Sequence, residues 1–173
     1  MNETMQTILN RRSCRSYKAE QVSDEHLRAV VDAGLAAPSG RNLQPTYIVA
    51  VRDAEDIATM RRINAEVMGT ENDPFYGAPC VIVVLAKEGS RTSLEDGCLV
   101  LGNMLLAAHT LGLGACWIHR ARQTFETDEG KALLKKWGIT DEVFGVGNCI
   151  LGYIDGDLHP DLEKRADRAY YID

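Results

Sequence analysis

A chain of 173 residues is most simply one domain, 1–173, long enough to bury roughly two thirds of the surface its unfolded form exposes. Its net charge of −6 and pI of about 5.2 argue against nucleic acid or an anionic membrane surface as a partner, because both attract cations. No basic-then-apolar leader opens the sequence and its one long apolar helix is interrupted by glycine, so the expectation is a cytoplasmic protein that spans no membrane.

Met5, Ile8 and Leu9 share one helical face, which predicts a short opening helix ending near Arg11. Arg11-Arg12-Ser13-Cys14-Arg15-Ser16-Tyr17 follows. Three guanidiniums around a hydroxyl suit an oxyanion, since arginine presents a planar fork of donors and serine adds a neutral one. Arginines at a helix C-terminus also complement its dipole while staying solvated, and spacing alone does not choose between the two roles. Ser23, followed by Asp24 and Glu25, is a good N-cap for a helix with the apolar stripe Leu27, Val30, Val31 and Leu35, which Pro38 ends. The loop Pro38-Ser39-Gly40-Arg41-Asn42-Leu43-Gln44-Pro45 is bracketed by prolines and rich in donors and acceptors. It either presents amides to a heterocycle or is a tight connection.

Residues 46–51 are a β-branched run that reads as a strand, and 53–67 read as a helix with a charged outer face. Punctuation at 72–79 leads into 80–85, a fully apolar strand and therefore central in a sheet. The stretch 94–120 organises the rest. It opens polar at Glu95 and Asp96 and then runs from Gly97 to Ala108 without a charge. A helix with no face for water belongs inside a core or against a second subunit, and Gly102 with the alanines lets another backbone come close. Gly112 or Gly114 supplies a C-cap, and Ala115-Cys116-Trp117-Ile118 reads as a buried strand ending in the polar pair His119-Arg120. Thr127 caps a helix carrying Leu133, Leu134 and Trp137, closed by Gly138, and 143–154 supply a last strand. The tail has too little apolar content to pack alone, and Ala169-Tyr170-Tyr171-Ile172 suggests that its end docks on something.

Cys14, Cys80, Cys98, Cys116 and Cys149 form no CxxC or other metal-ligand pair, so no metal site is expected. Four sit in apolar surroundings and read as small hydrophobes, with disulfides disfavoured in a reducing cytosol. Cys14 lies between arginines that would lower its pKa, yet no base stands near it in the sequence to make it a nucleophile. Strands alternating with helices give an α/β or α+β domain of three layers. Up to this point a cofactor enzyme, a ligand-binding module and a structural dimer all remain open.

Several stretches together resemble the nitroreductase family of flavin-dependent oxidoreductases, over essentially the whole chain. They are Arg11-Arg12-Ser13-x-Arg15-x-Tyr17, the loop 37–45, Gly77-Ala78-Pro79 and Asp96-Gly97, then Asn103-Met104-Leu105-Leu106-Ala107-Ala108-His109 with the following Leu111-Gly112-Leu113-Gly114-x-Cys116-Trp117-Ile118, and Leu151-Gly152-Tyr153. The resemblance implies an α+β, three-layer α/β/α fold with a mixed central sheet, and a homodimer with an FMN in each of two interface sites, the apolar helix forming the dimer core. It implies that Arg11, Arg12 and Ser13 hold the phosphate and ribityl end, and that Arg15 faces the flavin N1 and O2 edge. Pro38, Ser39, Gly40, Asn42 and Gln44 match the loop that reaches the flavin from the other subunit, and Asp96 a position near the ring or ribityl chain. Trp117, Ile118, His119 and Arg120 match the segment along the ring, where the backbone N–H of Arg120 points at N5.

In the C-terminal segment Lys164 matches a cation near the phosphate and Arg165 adjoins it, while Leu162 replaces another, and Glu71, Asn72 and Asp73 stand where a lysine often precedes the Ala-Pro strand. The implied activity is NAD(P)H-dependent reduction of a small-molecule acceptor, nitroaromatic or quinone in class, by a ping-pong route in which the flavin rather than a protein nucleophile carries the chemistry. Reductive dehalogenation, oxygen-dependent flavin breakdown and a non-catalytic flavin-binding dimer are the alternatives. His119 reads either as a group that tunes flavin or substrate, or as a strand-end histidine bonded to backbone. Tyr170 and Tyr171 read as tail anchors.

Overall fold

The computed structural model describes residues 2–158, 163 and 166–172. Short polar caps set the helix starts. Asn2 accepts from the Met5 N–H to open α1, Glu3–Asn10, and Ser23 accepts from the His26 N–H to open α2, Asp24–Leu35. The β-branched run forms β1, Thr46–Val51, and Asp53 caps α3, Ala54–Met68, through the Asp56 N–H. β2, Cys80–Lys87, is buried along all but its last residue, as its unbroken apolar sequence requires. Then come α4, Ser93–Thr110, and β3, Leu113–Ile118. A short α5, Ala121–Glu126, precedes α6, Asp128–Lys136, which Thr127 caps, and β4, Val143–Tyr153, ends the regular structure.

The strands lie in the order β1-β2-β4-β3. Every pairing among the described strands is antiparallel, which corrects the expected mixed sheet. The reason is that α3, and then α5 with α6, return the chain to the sheet end it has just left, so β1 and β2, and β3 and β4, run in opposite senses. Opposite Val84 and Leu85 the register shifts from Gly147 to Gly145, leaving Val146 as a bulge. That residue fits against α4 only because position 97 is glycine: a Cβ there would lie 2.6 Å from Val146 Cγ2.

Two cores cover the two faces of the sheet, giving the expected three layers. On one side α2 and α4 bring Val30, Val100, Leu101 and Met104 onto Ile82, Cys149 and Leu151. On the other, α3, α5 and α6 bring Met60, Phe125 and Leu133 onto Val83, Leu85 and Ile150. Asn103 Nδ2 donates to the Ala33 carbonyl at 3.0 Å and ties α4 to α2.

Only one face of α4 is buried in this core. Its opposite face leaves Leu94 and Leu99 48% and 47% exposed, and a Cβ at Gly102 would meet nothing within 4 Å. Beside it, α1 buries none of its residues and presents Met5 and Ile8 to solvent. Tyr170, Tyr171 and Ile172 are also exposed. Among the described residues no helix is long and apolar enough to cross a membrane.

Candidate active site

The end of β3 forms one wall of a cavity of about 540 Å³. Cys116, Trp117, Ile118, His119 and Arg120 line it, and Arg15 with Asn72, Asp73, Pro74 and Tyr76 complete the lining. Three anchors bring Arg15 there. The Cys14 N–H donates to the Ala115 carbonyl at 3.0 Å, the Tyr17 hydroxyl to the Cys14 carbonyl at 2.7 Å, and the Lys18 N–H to the Tyr153 carbonyl at 2.9 Å. The segment is thereby laid along the β3–β4 edge. Burial, then the neighbouring Cys14, Cys116 and Cys149, push the Tyr17 phenol far above its ordinary range, so it stays a donor.

Asp73 builds another part of the lining. Its Oδ1 accepts from the Phe75 N–H and its Oδ2 from the Gly77 N–H, both at 2.8 Å, and Arg61 lies 3.6 Å away. The turn holds Tyr76 at φ 54°, and the Arg15 guanidinium sits 5.9 Å from the centre of its ring. The third element is the turn after β3. Asn64, wholly buried on α3, donates through Nδ2 to the His119 carbonyl at 2.9 Å and accepts through Oδ1 from Arg120 Nε at 3.2 Å. Thr124 adds its N–H and its hydroxyl to the Arg120 carbonyl at 3.0 and 2.9 Å. Between these grips Arg120 adopts φ 73°.

The predicted loop forms a second cluster. Its Gly40 N–H donates to Asp96 Oδ1 at 2.9 Å, and Thr92 Oγ1 donates to Asp96 Oδ2 at 3.0 Å. Ser39 Oγ accepts from the Gln44 N–H, and Asn42 Oδ1 from Gln44 Nε2. Arg41, Asn42 and Gln44 all have positive φ. Pro38, Ser39, Gln44 and Asp96 line a separate small cavity of about 90 Å³. Asp96, which is 4% exposed, therefore braces the loop through Oδ1 and the start of α4 through Oδ2, and it does not line the larger cavity.

Arg11, Arg12 and Ser13 line neither cavity. Arg12 Nη1 donates to the Leu9 and Arg11 carbonyls, both at 2.8 Å, at the end of α1. Burial, aided by the charges of Arg11 and Arg12, holds His109 below its ordinary range at the end of α4. Cys14 Sγ donates to the Ser16 carbonyl, and burial pushes the Cys80 thiol up to about 12 and Cys149 higher still, so these thiols are structural. No cluster able to hold a metal occurs among the described residues. Lys164, Arg165 and Leu162 lie outside the described residues.

Within one chain, then, the larger cavity gathers Arg15, Trp117, Ile118, His119 and Arg120, and the 38–44 loop stands apart with Asp96. Sequence reading missed Asn64 and Tyr76. Asn64 follows Asp56 and Met60 at four-residue spacing on the buried stripe of α3, and an amide in an apolar stripe is the signal that marks it. Tyr76 precedes a Gly-Ala-Pro turn and carries no comparable signal. Chemically, the larger cavity falls in the size range of cofactor sites and offers two arginines, Arg15 and Arg120, an aromatic wall and a turn of fixed backbone. That donor set suits a flat, polar, anionic heterocycle.

Comparison with known proteins gives a family model described as the nitroreductase family, matching residues 8–72 and 64–153. An Archaeoglobus fulgidus protein, provisionally named an NADH dehydrogenase/NAD(P)H nitroreductase, is 30% identical over 154 residues, covering 88% of this chain and 86% of that one. A Bacillus subtilis FMN reductase (NADPH) is 27% identical, and the match takes in 73% of this chain and 57% of the longer relative. Crystal structures of nitroreductases with bound FMN from Bacteroides fragilis and Desulfitobacterium hafniense superpose with TM-scores of 0.92 and 0.90, at 26% and 28% identity, each covering 100% of both chains. Taken with the three-layer fold and the cavity at the end of β3, these matches establish that the chain belongs to the nitroreductase family.

Proposed function

We propose that the chain is a single FMN-binding domain, working in the cytoplasm as a homodimer, that uses NAD(P)H to reduce a small-molecule acceptor of the nitroaromatic or quinone class. The observation that carries this reading is the meeting, in one cavity of about 540 Å³, of the Arg15 guanidinium with the braced turn 118–120. FMN, when bound, supplies the redox chemistry, accepting hydride at N5 and passing electrons on. Arg15 places positive charge where reduction would leave negative charge, and the Arg120 N–H offers a fixed donor to the ring. Tyr76 and Pro74 add an aromatic ring and an apolar ring to the lining. No side chain is asked to act as nucleophile or base, and the nicotinamide and the acceptor use one face in turn.

The homodimer in this reading gives the 38–44 loop of a second copy a place beside the cavity and covers the apolar surface left open on α1 and α4. Support comes from the exposure of Met5, Ile8, Leu94 and Leu99 and from the open space at Gly102, a pattern a lone chain would leave wet. The phosphate role of Arg11, Arg12 and Ser13 belongs to the same proposal.

The test is the visible spectrum of the purified protein before and after FMN, followed by anaerobic NADH and then NADPH. A stoichiometric flavin spectrum that bleaches with a nicotinamide is the expected result. Absence of bound flavin at stoichiometric FMN overturns the site, and bound flavin that neither donor reduces replaces the enzyme with a flavin-binding dimer.

A further inference from the structure

Asn64 is an amide buried to 0% exposure on a helix whose other buried positions include Met60 and Ile63. Apolar packing alone would be better served there by leucine, because a buried amide must recover its lost hydration through hydrogen bonds. Both of its bonds go to one place, the turn at the cavity. A carbonyl only accepts and a guanidinium only donates, so the amide can face His119 and Arg120 in just one orientation: Nδ2 to the His119 carbonyl at 2.9 Å and Oδ1 to Arg120 Nε at 3.2 Å.

The consequence lies in the peptide unit that links residues 119 and 120. Its C=O and N–H are antiparallel in a trans peptide. A carbonyl held toward α3 therefore turns the Arg120 N–H away from α3. Residues 117 to 120 line the cavity, so this peptide unit stands in its wall. Thr124 takes the next carbonyl, that of Arg120, through two bonds and fixes the adjoining peptide as well. The left-handed φ of 73° at Arg120 is unfavourable for a side-chain-bearing residue, and these contacts hold it.

We propose that Asn64 is a positioning residue for the reaction: by gripping the His119 carbonyl it aims the Arg120 N–H at the cofactor, and by gripping Arg120 Nε it holds the turn in its left-handed form. This role rests on the FMN reading above. It assigns the two halves of the Asn64 amide different tasks, which substitution can separate. Asn64→Asp keeps an acceptor for Arg120 Nε but sets a carboxylate oxygen against the His119 carbonyl; Asn64→Leu removes both bonds at similar volume.

The experiment compares the wild-type protein with both variants, each checked for a native fold by thermal unfolding. Amide hydrogen exchange over residues 119–121 is measured without flavin, FMN affinity by fluorescence titration, and flavin reduction in anaerobic single turnovers across a range of NADH or NADPH. Both variants are expected to exchange faster at 119–121. Their limiting reduction rate should fall roughly tenfold to a hundredfold, with less than about a threefold change in the apparent nicotinamide affinity, as expected for a donor turned out of line. If Asn64→Leu does not fold, Asn64→Asp carries the test alone. An Asn64→Asp protein with wild-type exchange and a wild-type limiting rate overturns the positioning role while leaving the FMN reading intact. A wild-type protein that takes up no FMN overturns both.

Discussion

Replacing Asp96 by alanine tests whether the 38–44 loop is a preformed part of the molecule. Arg41 at φ 53° and Gln44 at φ 47° are unfavourable for side-chain-bearing residues, at roughly 1–2 kcal/mol each, with Asn42 adding less because asparagine tolerates this region. About 2–4 kcal/mol of strain is therefore held in the loop. Against it stands one bond from the loop to the buried Asp96 carboxylate, that of the Gly40 N–H at 2.9 Å, worth about 1.5–3 kcal/mol; the carboxylate's other bond, from Thr92 Oγ1 at 3.0 Å, lies within the start of α4 and is lost outright in the variant. The two sums are close, so without the carboxylate the loop is expected to relax and recover most of its strain. The net loss of stability in Asp96→Ala should then be only about 1–2 kcal/mol, a fall in Tm of roughly 2–8 °C for a domain of this size. The local effect should be far larger: amide exchange at 39–44 rises steeply while exchange in β2 stays slow, and FMN affinity drops about tenfold if this loop completes the site. Asp96→Asn can keep both contacts without the charge and should fall between. Unchanged exchange at 39–44 in Asp96→Ala refutes the reasoning, because the loop would then be held by its own Ser39 and Asn42 contacts.

Other substitutions test other parts. Arg15→Ala should weaken FMN retention or slow flavin reduction by roughly tenfold, read by fluorescence titration and anaerobic kinetics; wild-type values for both remove Arg15 from the site. Gly97→Val should lower Tm by several degrees, since even its Cβ would sit 2.6 Å from Val146 Cγ2 at the bulge; a wild-type melting curve would mean that α4 can lift off the sheet freely. Burial pushes the Asp56 carboxyl up, but its hydrogen bonds from Lys136 at 2.6 Å and Trp137 at 2.8 Å outweigh this and hold it below its ordinary range. A folded-state pKa lowered in this way gives stability that is complete above the unfolded carboxylate range, about pH 4, and is lost as pH falls through the folded value. Asp56→Asn should accordingly melt about 2–4 °C below wild type near pH 7, with the gap closing at acid pH; a gap constant from pH 7 to pH 3 would show that charge plays no part.

What the sequence made legible is what depends on local chemistry. Ser23 and Thr127 cap helices where short polar side chains precede acidic first turns, and the unbroken apolar run of β2 lies at the sheet centre as such a run must. α4, charge-free from Gly97 to Ala108, was legible as buried, but not how its surface divides, because Leu99 and Leu101 are equally apolar and only the sheet decides which of them faces inward. The helix at 121–126 is too short to show a period, and its Arg-Gln-Thr interior carries no apolar stripe. The two site clusters were legible as segments, since prolines bracket one and a buried strand ends in the other. Their separation within one chain was not, because it follows from the sheet order.

The backbone of the site was the least legible part. All the non-glycine residues with left-handed φ among the described residues, apart from Asp167, lie in the 38–44 loop, at Tyr76 or at Arg120. Nothing in the identity of arginine, glutamine or tyrosine announces such a conformation. Each is imposed from a distance along the chain, with Asp96 acting on the loop and Asn64 on Arg120, while the nearer Asp73 sets the turn that carries Tyr76. A turn needed only for connection could carry glycine at these positions at no conformational cost. That side chains stand there instead, each beside a buried or well-bonded polar anchor, means that the rigidity of these segments depends on specific tertiary hydrogen bonds. A flat cofactor gripped between backbone groups requires the same rigidity, because donors already aimed in the free protein lose little order when it binds. The residues that make these segments rigid are therefore partly distinct from those that line the cavity: Asn64 and Asp96 brace from outside it, and Asp73 does both.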